Sequence, residues 1–251
     1  MKLALVTGGH RRLGAAISAR LAADGWTLAI HGAHDAEPDA ALAAAFATHG
    51  SAWHGFVADL ADIAAVEGLI PAVAAHFDKT PDLLVNNASR FVDDTATTAT
   101  AADIAAHHAV NAAAPVALAL ALHRFSKDGE GAQGSVVNIL DQRIRNPVPD
   151  QFSYGLSKAA LDSATRSLAV SLAPHLRVNA VAPGLTLPTS DYDDALMVRI
   201  AAAMPLGMLP SPTDIANAVA YLAGASSVTG QTLFVDGGAS LKSFERDFVN
   251  L

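Results

Sequence analysis

The chain has no cysteine among its 251 residues. Disulfide bridges, thiolate nucleophiles and Cys-ligated metal centres are therefore excluded. Charge is also scarce. Asp, Glu, Lys and Arg make up 16% of the residues, the formal net charge is −8, and no run of Lys and Arg occurs. A nucleic-acid partner is thus not expected, and neither is a general attraction to an anionic membrane. An unbroken apolar run of the roughly 18 residues that span a bilayer is missing, so no membrane segment is expected. The opening MKLALVTGGHRRLG interrupts its apolar stretch with glycines and arginines too early for a secretory signal. A cytoplasmic location is expected, and the sequon Asn87-Ala88-Ser89 reads as a chance match.

What the chain does have is apolar residues, 51% of the total. That suffices for one sizeable core, and the expected organisation is a single domain over residues 1–251. Apolar runs at 2–7, 26–31, 52–58, 82–87, 134–140, 176–182 and 232–236 predict strands. Ala-rich helical stretches lie between them, near 12–24, 36–49, 61–77, 99–125, 151–173 and 212–224. The strands are apolar at consecutive positions, as in a parallel sheet covered on both faces. The fold class is therefore α/β, a Rossmann-like doubly wound parallel sheet of about seven strands. Residues 186–212, rich in Pro, Asp and Met, are the least regular stretch and read as a loop or lid over a site.

The first strand runs into TGGHRRLG (7–14) and then a helix. Glycines at such a turn let the backbone approach a pyrophosphate, which the helix N-terminus attracts. The spacing is T-G-x-x-x-G-x-G-like, with Arg12 in place of the middle glycine. Polar residues at successive strand ends (Thr7, His31, Asp59, Asn86–Asn87, Asp141) suggest a lined crevice. The end of the second strand, IHGAHD, has no carboxylate at its nearest positions, and Arg11 lies on the glycine turn. An arginine suits a 2′-phosphate, which favours NADP, while Asp35 keeps NAD open.

Tyr154 and Lys158 are four apart and share a helix face. An ammonium beside a phenol favours the phenolate, so such a tyrosine can exchange a proton near neutral pH. The plain alternative is a surface pair at helical spacing. Asp141 ends an apolar run upstream; its plain alternative is an ion pair with Arg143 or Arg145. His31-x-x-His34 has a superficial metal spacing, but no metal site is expected. Trp26 and Trp53 read as core, and His107–His108 as an exposed helix face.

TGGHRRLG, then NNAS, Asn111 in AVNAAAP, Tyr154-x-x-x-Lys158 and Pro183-Gly184 together resemble the short-chain dehydrogenase/reductase family over residues 3 to about 238. The resemblance implies a nicotinamide cofactor and a homotetramer. It implies catalytic roles for Asn111, Tyr154 and Lys158, with Asn111 anchoring a water in a proton relay. It places the cofactor on Thr7, Gly8, Arg11, Arg12, Leu13 and Gly14, on His31, Asp59, Leu60, Asn87 and Ala88, and on Tyr154, Lys158, Pro183, Gly184 and Thr186.

The departures narrow the resemblance. Most of the family has serine where this chain has Asp141. Arginine on the glycine turn, Phe91 after NNAS, and the Asp–Tyr–Lys set are similar to the pteridine reductase branch, which includes dihydromonapterin reductases. That branch implies NADPH-dependent reduction of a pterin or dihydrofolate-like ring. Phe91 would stack on the ring, Ser89 would hydrogen-bond the ring or the cofactor, Arg12 would reach the ring's edge or the pyrophosphate, and Asp141 would hold or deliver a proton beside Tyr154. Phe91 as a loop anchor and Ser89 as a turn residue are the plain alternatives. Two other functions compete: a reductase or dehydrogenase of a carbonyl or alcohol, and a non-catalytic dinucleotide sensor. A serine hydrolase is set aside because no G-x-S-x-G elbow occurs.

Overall fold

The computed structural model describes residues 1–127, 134–187 and 192–250. Seven parallel strands form one sheet in the order β3-β2-β1-β4-β5-β6-β7. They are β1 (Lys2–Val6), β2 (Trp26–Gly32), β3 (Trp53–Val57), β4 (Leu83–Asn86), β5 (Gly134–Ile139), β6 (Leu176–Pro183) and β7 (Thr232–Val235). The doubly wound expectation is met. Strand order reverses between β1 and β4, and the crevice of such sheets opens there, beyond the carboxyl ends.

Among the described residues, eight α-helices accompany these strands: α1 (Arg12–Ala23), α2 (Ala40–His49), α3 (Ile63–Phe77), α4 (Ala101–His108), α5 (Ala114–Lys127), α6 (Phe152–Ser171), α7 (Asp194–Ala203) and α8 (Pro212–Gly224). Alternation along the central strands divides the core in two. Ala4, Val6, Leu28, Ile30, Leu83 and Val85 pack on one face with Ile17 and Leu21 of α1 and Ile215 and Val219 of α8. Leu3, Leu5, Leu84 and Val136 pack on the other with Ile70 and Val73 of α3 and Leu118 and Leu122 of α5. Truncating one of these fully buried leucines to alanine costs roughly 2–5 kcal/mol.

Three local expectations are corrected, and the apolarity of one helical run is accounted for. The run Ala101–Phe125 is long and apolar enough to cross a bilayer by length and composition. Its apolarity is used in the fold, since Leu118, Ala119 and Leu122 belong to the core. The segment 186–212 is not wholly irregular, because Asp193 caps α7 by accepting from the Leu196 N–H at 2.7 Å. Residues 188–191 of that segment lie outside the described residues. Trp53 is not core; it is 36% exposed and stacks on Phe46 at 5.6 Å. His107 is buried rather than exposed, and its Nε2 accepts from the Val92 N–H at 3.2 Å.

Candidate active site

A cavity of about 1300 Å³ opens beyond the carboxyl ends of the strands. That exceeds the usual range of a site for one small ligand. It leaves room for a dinucleotide and a substrate together.

The glycine turn forms one end. Arg12 takes a left-handed φ of 52° as α1 begins, a conformation disfavoured for any residue with a Cβ. Gly14 has no freedom to change: an added Cβ would lie 1.9 Å from the Gly8 carbonyl oxygen. The cradle is thus shaped by missing side chains, which fits a pyrophosphate lying against the backbone at the start of α1. Gly8, Arg11, Arg12, Leu13 and Gly14 all line the cavity, with Arg11 and Arg12 exposed to it.

Several residues expected to touch the cofactor hold the walls together through their own hydrogen bonds, and of these only Thr7 does not line the cavity. Thr7 is buried and does not line the cavity; its Oγ1 accepts the N–H groups of Asn87 and Ala88, each at 3.0 Å. It fastens the end of β4 to the end of β1. Asn87 lines the cavity, but its Nδ2 donates to the carbonyls of Thr7 and Gly8. His31 is a strut as well as a lining residue. Its Nδ1 accepts the Gly8 N–H at 3.3 Å, so its Nε2 carries the hydrogen given to Ala58 O at 2.8 Å. Burial lowers its pKa, in keeping with that neutral tautomer. Asn86 does not reach the crevice: its Nδ2 donates to Asn138 Oδ1 at 2.8 Å inside the sheet.

His10 escaped the sequence reading. It is buried beside β2, with Nε2 3.8 Å from Asp35 Oδ1. Asp35 therefore faces a histidine as well as solvent. Asp59, Leu60, Ala88, Pro183, Gly184 and Thr186, also expected at the cofactor, line the cavity as well.

The opposite end brings Asp141, Tyr154 and Lys158 together. Asp141 follows β5 and caps a short 3-10 turn, its Oδ1 accepting the Arg143 N–H at 2.8 Å. Tyr154 lies on the first turn of α6 and donates its hydroxyl to Asp141 Oδ2 at 3.2 Å. Lys158, one turn on, is buried and donates to the Ile139 carbonyl at 2.9 Å. Burial, then the Asp141 charge, push the Tyr154 pKa well above its ordinary 10, with Arg143 acting against them. Burial lowers Lys158 to about 8, against the pull of Asp141. In this state the phenol holds its proton firmly.

The plain alternative for Asp141 is corrected, since neither arginine side chain pairs with it. The Arg143 guanidinium pairs with Asp247, and Arg145 lies over the Phe234 ring at 3.9 Å.

Asn111 sits in a π-helical turn, Ala109–Ala113, between α4 and α5. Its side chain is fully engaged. Oδ1 accepts from Arg90 N and Ser89 Oγ, while Nδ2 donates to Arg90 O and Ser157 Oγ. The side chain therefore has no polar group left to anchor a water, and it fixes the NNAS-Arg-Phe loop instead. That loop presents Phe91, 51% exposed, edge-on to Tyr154 with ring centroids 4.9 Å apart. Ser89 and Arg12 also line this end. Sequence reasoning missed Gln151, Tyr192, Asp247 and Phe248, which line it too. Among the described residues, no group of three or more His, Asp or Glu is placed to hold a metal ion.

Comparison with known proteins agrees with this layout. A family model described as enoyl-(acyl carrier protein) reductase matches residues 9–240. The crystal structure of FolM alternative dihydrofolate reductase 1 from Brucella canis, complexed with NADP, is similar with a TM-score of 0.83 and 38% identity, covering 96% of this chain and 95% of that one. A 3alpha-hydroxysteroid dehydrogenase of Mediterraneibacter gnavus is 32% identical over 244 residues, 95% of this chain and 96% of its own. The dihydromonapterin reductase of Citrobacter koseri is 28% identical over 245 residues, 95% of this chain and 96% of its own. With the family model spanning almost the whole chain and its motifs gathered around one crevice, the chain belongs to the short-chain dehydrogenase/reductase family and is an oxidoreductase.

Proposed function

We propose that the protein is an NADPH-dependent reductase of a pteridine or dihydrofolate-like ring. The observation that carries this reading is the Tyr154–Asp141 hydrogen bond beside an exposed Phe91. Reduction of a C=N bond adds a hydride to carbon and a proton to nitrogen, and bound NADPH supplies the hydride. Asp141 accepts the Tyr154 hydroxyl, so in place of the proton-holding role expected of it this reading gives it the role of acceptor, which suits a ring bearing N–H and amino donors better than a bare carbonyl oxygen. When such donors take Asp141, the Tyr154 hydroxyl is released towards the substrate. Tyr154 then gives its proton, and the Lys158 ammonium beside it stabilises the phenolate left behind. Phe91 offers a flat face edge for the ring to pack on.

NADP rather than NAD is supported by the exposed Arg11 and His34 along the cavity next to the end of β2. The NADP complex of the Brucella relative points the same way. The reading includes a cytoplasmic homotetramer. Apolar side chains left exposed on the helices, Ile104 and Phe125 on α4–α5 and Leu156 and Val170 on α6, support self-association.

A second reading, reduction or oxidation of a carbonyl or alcohol, is favoured by the likeness to a hydroxysteroid dehydrogenase. NADPH oxidation followed at saturating cofactor, with dihydropterins and dihydrofolate beside a ketone panel, separates the two. Turnover of a dihydropterin is expected; turnover of ketones alone overturns the pterin reading.

A further inference from the structure

The chain's last described residues form part of the cavity wall, and they are tightly fastened. Arg246 grips Asp150 with two nitrogens, at 2.9 Å and 2.7 Å, and the Asp247 N–H donates to Asp150 Oδ2 at 2.7 Å. This anchorage delivers Asp247, 1% exposed, to the substrate end. There its carboxylate pairs with the Arg143 guanidinium and accepts the Tyr192 hydroxyl at 3.2 Å. The other side of the guanidinium donates to Gln151 Oε1, and the buried Phe248 ring lies 5.9 Å from its central carbon.

Arg143 is thus held from several sides at a particular place. Its own N–H is bound to Asp141, the acceptor of the Tyr154 hydroxyl. Burial opposes its charge, and two carboxylates, Asp141 and then Asp247, outweigh burial and raise its pKa. With 16% of its side chain exposed the guanidinium is largely screened from water, and leaving it without a carboxylate is costly, so it takes one that is near. Only one of these two is free of the proton pair.

We propose that Asp247 is a positioning residue that keeps the Arg143 guanidinium off Asp141, so that Asp141 stays available to Tyr154 at rest and to the substrate's donors during the reaction. Without Asp247 the arginine turns to Asp141 and competes with the tyrosine hydroxyl for it. The tail thereby sets the state of the proton pair without touching substrate. The proposal rests on the reading above that Asp141 and Tyr154 act as that pair.

The test uses the full chain and whichever substrate the wild type reduces. A chain that turns over ketones alone would overturn the pterin reading and leave this comparison intact. Asp247→Asn is expected to lower kcat by at least ~10-fold with little change in KM for NADPH, the signature of an effect on the chemical step. Asp247→Glu is expected to restore most of the rate. The decisive variant is Asp247→Asn combined with Arg143→Gln. Removing the displaced arginine removes the harm, so the double variant is expected to be about fivefold faster than Asp247→Asn alone, a coupling that independent sites do not show. An unchanged kcat in Asp247→Asn overturns the proposal, as does a double variant no faster than the single one. Loss of NADPH binding in Asp247→Asn, read by nucleotide fluorescence, would make Asp247 a folding residue and overturn it too.

Discussion

The Tyr154 hydroxyl donates to Asp141 Oδ2 across 3.2 Å, so the phenol's hydrogen is engaged before any substrate arrives. A buried phenol beside a carboxylate keeps its proton and acts as an acid once that carboxylate is taken up elsewhere. Tyr154→Phe keeps the ring against Phe91 and deletes only the donor. It is expected to lower kcat by roughly 10²–10⁴ while NADPH binding persists, read by single-turnover kinetics and nucleotide fluorescence. Retained turnover would remove Tyr154 from the proton step.

Lys158 gives opposite pH signs for activity and stability. Its pKa is lowered to about 8 by burial, from an ordinary 10.5. The rate of reduction should fall as pH rises through about 8, because the cation that supports the phenolate is lost. Folding stability moves the other way. Below 8 both states are protonated and the cost of burying the ammonium is fully present; from 8 towards 10.5 the unfolded chain binds the extra proton and that cost is relieved. Tyr154 opposes this only above its ordinary 10. Denaturation midpoints of wild type and Lys158→Met across pH 7–10 check it: the difference should shrink with rising pH.

Asp150, two residues before α6, ties the tail to the start of that helix and carries an acid-side signature. The Arg246 hydrogen bonds, and after burial acting the other way the Asp247 N–H, lower its pKa from 3.8 to about 2. Its folded value is depressed, so its contribution is present above 3.8 and is lost as pH falls towards 2. Asp150→Asn should lower stability near neutrality and flatten the loss between pH 4 and 2. Parallel wild-type and variant acid unfolding curves would refute the linkage.

Arg11 is exposed along the cavity beside the glycine turn. A charge-assisted contact to a phosphate is worth about 1.5–3 kcal/mol, so Arg11→Ala should weaken NADPH by on the order of 10-fold or more. NADH should be weakened far less. Equal losses for the two nucleotides would show that Arg11 does not read the 2′-phosphate.

Much of this was legible in the sequence because the signals are local. Consecutive apolar residues such as Leu3–Val6 mark a strand buried on both sides, and Tyr154 and Lys158 face one way because a helix repeats every 3.6 residues. Gly14 follows from close backbone approach, which no other residue allows. What could not be read is long-range. His31 and Asn111 look like functional polar residues, yet their side chains are spent on Gly8, Ala58, Arg90 and Ser157. Whether a polar side chain is free depends on partners far along the chain. Asp247 is the converse: nothing in its neighbours signals a cavity, and its role comes from Asp150 and Arg143, some hundred residues earlier. The helix hidden in 194–203 was masked by the prolines and aspartates around it, although Asp193 is an ordinary cap.

The π-turn at Ala109–Ala113 holds one residue more than a regular helix needs. Removing one alanine there would allow an unbroken α-helix from α4 into α5, so the chain has a route to a tidier backbone at that point. It would also rotate one half of the helix against the other, and Asn111 would no longer meet both Arg90 and Ser157. Length variation at this spot therefore separates two kinds of selection: a shortened chain that still folds would be left with an unanchored Phe91 loop.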